Sequence, residues 1–327
     1  MSATGILMNC CTTLIHIFSM VISLIVLIVI IYRLYHNKLY RRHINVRSLS
    51  SVFDDQISLI LLGNTYLVFF IYHIAWISIT MRTFIGDFSL LKDIIYLGDS
   101  TFCRIQVGII FFLTSQMYHS FLLQALYRYF KIIYSSNLST IIFCQMSLNN
   151  ISIYILMIIF SWIISFVVLI PAYTTFSVFS YFPEQYHCLI SFTNLKGFIY
   201  ALLVCYLIPV CVILYIYCQL IIYIHRLPSH GILLRTTREI AVIKRILKIC
   251  LAMSVLGSPT LFFLFHFIIT GKTHPLADRV HELGVSISAI SFTFGFAIFN
   301  SFSRLLPQLP ADVNSNMISL QRDRPTI

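Results

Sequence analysis

The side chains with the most chemical reach here are eleven histidines, nine cysteines and eleven Asp and Glu, spread over 327 residues. A zinc hydrolase would set two histidines and a glutamate on one helical face, a serine hydrolase would set its nucleophile on a glycine-flanked turn, and a nucleotide enzyme would carry a glycine-rich phosphate loop. No His-Glu-x-x-His, Gly-x-Ser-x-Gly or Walker sequence occurs. His16, His73, His119 and His266 fall in four different apolar runs without carboxylates at helical spacing, and read as lone packing histidines of a helix bundle. An enzyme, a metal centre and a cofactor are therefore not expected.

The elements that carry these residues are set by the solvent. Hydrophobic residues make up 59% of the chain and charged residues 10%, against about 25% charged in soluble domains. Mean hydropathy is +0.89. Seven apolar runs are long enough for a helix to cross about 30 Å of hydrocarbon. They run near Leu14–Tyr35, Ile57–Thr80, Cys103–Tyr134, Ile151–Tyr173, Phe198–His225, Glu239–Thr270 and His281–Ser303. The last is diluted by serine and glycine, which keeps six as the alternative count. Barrel strands would be about ten residues of alternating polarity, so helices are expected. The all-α reading divides the chain into a short leading segment 1–13, a bundle 14–303 and a tail 304–327. Residues 1–13 have no basic stretch or cleavage site, so no removable signal peptide is expected.

Placing the loops alternately puts sixteen of the 22 Lys and Arg, and five of the eleven acids, on one side. The whole formal charge of +11 then lies on that side. The positive-inside rule makes that side cytoplasmic, with the N-terminus outside, the C-terminus inside and an odd helix count. The basic clusters, Arg41, Arg42 and Arg47 and then Arg235, Arg238, Lys244, Arg245 and Lys248, abut helix ends. They read as topology signals beside a lipid bilayer, not as a nucleic-acid surface. The sequons at Asn137 and Asn150 fall on the cytoplasmic side and are not expected to carry glycans. Four cysteines, Cys10, Cys11, Cys103 and Cys188, lie on or near the side where oxidation is allowed. Cys103 and Cys188 are either free thiols or a bridge closing 85 residues, with a chain-entropy stabilisation of about 4 kcal/mol.

Landmarks recur in order along nearly the whole chain. Arg128, in Leu-Tyr-Arg-Tyr-Phe, lies 25 residues after Cys103. Trp162 sits mid-fourth run, Cys188 in the loop after it, Pro209 in the fifth with Tyr217 eight residues on, and Pro259 in the sixth. In these spacings the chain resembles rhodopsin-like (class A) G protein-coupled receptors, in a divergent branch similar to invertebrate orphan or chemosensory-type receptors. The resemblance implies a multi-pass plasma-membrane receptor that carries an extracellular signal to a heterotrimeric G protein, with a Cys103–Cys188 disulfide. It implies a switch of Arg128, Tyr129, Tyr217 and Glu239, in which Glu239, 20 residues before Pro259, holds Arg128 until the sixth helix swings out. Pro209 and Pro259 would kink the moving helices.

The chain departs from the family in several places. Tyr127 replaces the acid before the arginine, the first run lacks Gly-Asn, and Asn64 stands near the second-helix aspartate. Gly257 takes the place of the tryptophan before Pro259, and Gly295, Phe296 and Phe299 replace the seventh-helix motif. The implied pocket is lined by Gln106, Ile110, Phe111, Thr114, Ser115, Cys205, Phe263, Leu264, His281, Glu282 and Ser288. Ile110 in place of an aspartate disfavours an amine, and a last run without lysine excludes a retinal Schiff base. A neutral small molecule or a peptide is the expected ligand. A transporter or channel, and a seven-helix scaffold that no longer signals, are the other readings; neither related halves nor mid-membrane charges favour transport.

Overall fold

In the computed structural model the described residues are 3–40, 49–87, 101–136, 151–182, 187–190, 194–226, 262, 265, 266, 268–270, 283–291, 293 and 294. They are nearly all helical. Helices α1 (Ala3–Tyr40), α2 (Leu49–Asp87), α3 (Thr101–Ser136) and α4 (Ile151–Thr174) are followed by a hairpin of β1 (Phe179–Phe182) and β2 (His187–Ile190). Then come α5 (Leu195–Ala201), a π-helical turn (Leu202–Leu207) and α6 (Ile208–Arg226). Among the described residues, five helical stretches are long and apolar enough to cross a membrane. Residues 283–291, with 293 and 294, form a further helical segment. Most of the sixth and seventh expected runs lies outside the described residues.

The helices overshoot the apolar runs. The first begins at Ala3 and ends at Tyr40, whereas the run spans Leu14–Tyr35. The run measures the hydrocarbon to be crossed, but a helix continues for as long as its face finds something to pack on. On α1 that face is a polar stripe of Asn9, Thr12, His16, Ser19 and Ser23, all buried. Their spacing of three and four residues keeps them on one side. Leu14, Ile17, Phe18, Leu24, Ile25 and Ile28 of the same helix are exposed. The pattern repeats on α4, where Ser161 and Ser165 are buried while Leu156, Phe160, Ile163 and Phe166 face out. Polar side chains inside and large apolar ones outside would be unstable in water, and this is the polarity of a membrane protein.

α3 is the hub. Two thirds of its spanning window, 67%, is buried, against 17% for α4. It packs on α2, α4, α6, the π turn and both strands. The π turn ends two residues before Pro209, and the Ile208 N–H reaches back five residues to the Leu203 carbonyl. Pro209 has no N–H, and its ring would press on the carbonyl four residues earlier in a regular helix; widening one turn relieves that contact.

The hairpin is tied at its base. Ser177 adopts a left-handed conformation (φ 44°). Asn194 donates to the carbonyls of Phe176 and Ser177, while its side-chain oxygen caps α5 by accepting from the Gly197 N–H at 3.2 Å. Gly197 is required there, since a Cβ would lie 2.9 Å from Val178 Cγ2. Gly197→Val should therefore cost about 1–3 kcal/mol, read as a lower thermal midpoint of the purified chain. An unchanged midpoint would mean that this junction is not close-packed.

Candidate functional site

Three layers of polar and aromatic contacts run along α3, from its Cys103 end to its Arg128 end. In the first, Cys103 and Cys188 form a disulfide, S–S 2.04 Å, which anchors β2 to the start of α3. Register pairs Tyr181 with Cys188 and Phe179 with Ile190. The hairpin thus lies against the helix bundle, with the buried Phe179 ring edge-on to Phe111 at 5.8 Å and beside Tyr173 at 6.2 Å. Phe176 stacks on Tyr200 at 4.7 Å, and the Tyr200 hydroxyl donates to the Val168 carbonyl at 2.9 Å.

The expected pocket residues separate into groups. Ile110 and Phe111 are buried in the main core with Cys205 of the π turn, which packs on α3. Thr114 donates to the Ile110 carbonyl at 2.8 Å, and the buried Ser115 lies 3.4 Å from His119 Nδ1. Gln106 is committed elsewhere: its amide N–H donates to Ser78 at 2.7 Å and its oxygen accepts from Arg82 Nη1 at 3.2 Å. Arg82 also lies over the Phe102 ring at 5.5 Å. Ser288 is buried and donates to its own helix at Gly284, 2.7 Å. Phe263, Leu264, His281 and Glu282 lie outside the described residues. Sequence reading missed Arg82, whose only signal was a lone cation at the end of an apolar run.

The middle layer is a set of buried polar ties between helices. Asn64 donates to Ser120 at 2.8 Å and accepts from Trp162 Nε1 at 3.0 Å, joining α2, α3 and α4. Gln124 donates to Thr65 at 2.8 Å. The Gln116 amide lies 3.0 Å from Ser161 and 2.9 Å from Ser165, and His119 lies 3.0 Å from Ser165. The landmark Trp162 is thus bonded to the asparagine of Leu-Leu-Gly-Asn-Thr-Tyr.

The expectation of lone histidines does not hold for His16 and His73. Their Nδ1 atoms lie 2.9 Å apart, between α1 and α2. Ser286 Oγ lies 3.0 Å from His16 Nε2, and Thr293 Oγ1 lies 3.3 Å from His73 Nε2. Both imidazoles are fully buried. An imidazole deep in an apolar run has no water to bond and must find a partner on another helix; that was the only signal the sequence offered. His266 contacts Thr270 one turn on. Among the described residues, no group of three His, Cys, Asp or Glu is arranged to hold a metal.

At the far end of α3, Arg128 is part-buried. Its Nη1 is shielded from solvent and has no hydrogen-bond partner among the described residues. Its neighbours on α3 turn to other contacts. Tyr127 is buried edge-on against Tyr154 of α4 at 5.4 Å with Lys131 over its ring, and Tyr129 lies against Phe130 at 5.9 Å. Tyr217 of α6 is buried in the core, and α6 packs on α3. Glu239 and Pro259 lie outside the described residues. No protein-family model matches the chain, and no curated protein matches it.

Two substitutions test these layers. Asn64→Leu removes the donor to Ser120 and an acceptor for the Trp162 N–H and should lower stability by about 1–2 kcal/mol in detergent. Cys188→Ser should cost about 2–4 kcal/mol and abolish the mobility difference between reduced and non-reduced gels. If the mobility difference persists in Cys188→Ser, another cysteine pair is bridged.

Proposed function

We propose that the chain is a rhodopsin-like receptor of the plasma membrane: seven helices, N-terminus outside, a ligand chamber beneath the hairpin and a G protein site at the Arg128 end. The observation that carries this reading is Arg128 itself. A guanidinium held partly out of water, with no partner among the described residues, is costly and must be met by a carboxylate or by another protein. Glu239, the acid expected at the start of the sixth helix, is that carboxylate in the resting state, and the G protein takes its place on activation. At the opposite end, the hairpin tethered to Cys103 and set against Phe111 suits a lid over a small, largely neutral ligand or a peptide. Binding there shifts a two-state bundle by its differential affinity for the open form.

The test is ligand-free G protein recruitment in cells, measured at matched surface expression. Glu239→Ala should raise recruitment about fivefold, as loss of about 1 kcal/mol of restraint implies, and Arg128→Ala should abolish it. An epitope at the N-terminus should be reached by antibody on intact cells. Equal recruitment by all three forms, or an epitope reached only after permeabilisation, overturns the reading.

A further inference from the structure

The four side chains Ser286, His16, His73 and Thr293 form one continuous chain of hydrogen bonds across three helical elements, and its direction follows from counting protons. Thr293 has a single hydroxyl proton and gives it to the Ala289 carbonyl at 2.9 Å, a shorter contact than its 3.3 Å to His73 Nε2. Towards His73 it therefore accepts, and the hydrogen of neutral His73 sits on Nε2. His73 Nδ1 is then a lone pair, so the 2.9 Å contact requires His16 to donate from Nδ1. His16 Nε2 is left as an acceptor and takes the Ser286 hydroxyl at 3.0 Å. The two imidazoles must be opposite tautomers, which only their mutual contact imposes.

We propose that this chain is a clasp by which α1 and α2 hold the helical segment carrying Ser286 and Thr293. Opening on that side breaks the two outer links, His16–Ser286 and His73–Thr293, and leaves His16–His73 closed. Three observations select those links. α1 and α2 pack on each other more extensively than any other helix pair described, and the stack of Trp76 on His16 at 5.5 Å and 5° joins them beside the pair. The Thr293 hydroxyl keeps its bond to the Ala289 carbonyl of its own helix when the link to His73 parts, so that link opens without stranding a hydroxyl proton. Finally, the closed arrangement is not fully satisfied. Ser19 Oγ and Ser23 Oγ, on the clasp face of α1, are buried with no hydrogen-bond partner among the described residues. A seam that admits water would relieve both, which offsets part of the cost of parting the links.

Thiol access tests the clasp, using the full chain in lipid nanodiscs with Ala289→Cys on the clasp face. Labelling by a charged methanethiosulfonate is read peptide by peptide, and the buried Cys205 serves as the internal control. Adding His73→Phe, or Ser286→Ala with Thr293→Val, should speed labelling at 289 by about tenfold while leaving Cys205 unchanged. Equal acceleration at both cysteines means general loosening and overturns the proposal, as does no change at 289. Should these variants fail to fold, nitrogen-15 solid-state NMR of the histidine-labelled parent chain decides. One Nδ1–H and one Nε2–H tautomer coupled across a nitrogen–nitrogen hydrogen bond are expected, and two uncoupled tautomers of the same kind overturn it. Neither readout involves ligand or G protein, so the outcome is separate from that of the receptor reading.

Discussion

A hydroxyl, amide or imidazole that turns away from water onto a hydrocarbon-covered helix bundle keeps its need for a hydrogen-bond partner, and only another part of the protein can meet it. The organisation of this molecule follows from that need. The stripe of α1, the serines of α4, the Asn64 bridge to Ser120 and Trp162, and the imidazole pair all bury polar groups between helices, while Leu, Ile and Phe point outward. Apolar side chains gain little by leaving lipid for a protein core, so directional contacts and close packing decide which helix faces which.

α3 connects the ends because it is surrounded. One end is fixed by the disulfide and the hairpin, the middle by amide and hydroxyl ties to α2 and α4, and at the other end the shielded Arg128 Nη1 has no hydrogen-bond partner among the described residues. The π turn before Pro209 adds a deformable point in the span that packs along α3, since its backbone bonds are already displaced from the regular pattern.

The helical class and the approximate position of the five described spans were legible from apolar runs. The engagement of Gln106 with Arg82 and Ser78 was not, because a family-like register says which face of a helix a residue occupies but not which neighbour claims its amide. Tyr127 is similar. Its place beside Arg128 marked a departure in the switch, whereas in the fold its ring packs edge-on against Tyr154.

Chain length between charges, and the lopsided placement of lysine and arginine, are local properties; they alone sufficed to argue for helices in lipid and against an aqueous fold. The pairing of polar groups is of another kind. Asn64 meets Ser120 and Trp162 across 56 and 98 residues, His16 meets His73 across 57, and Ser286 meets His16 across 270. No periodicity encodes such separations, because a partner is selected by which helices come to lie side by side, and that is settled only when the helices pack together in three dimensions.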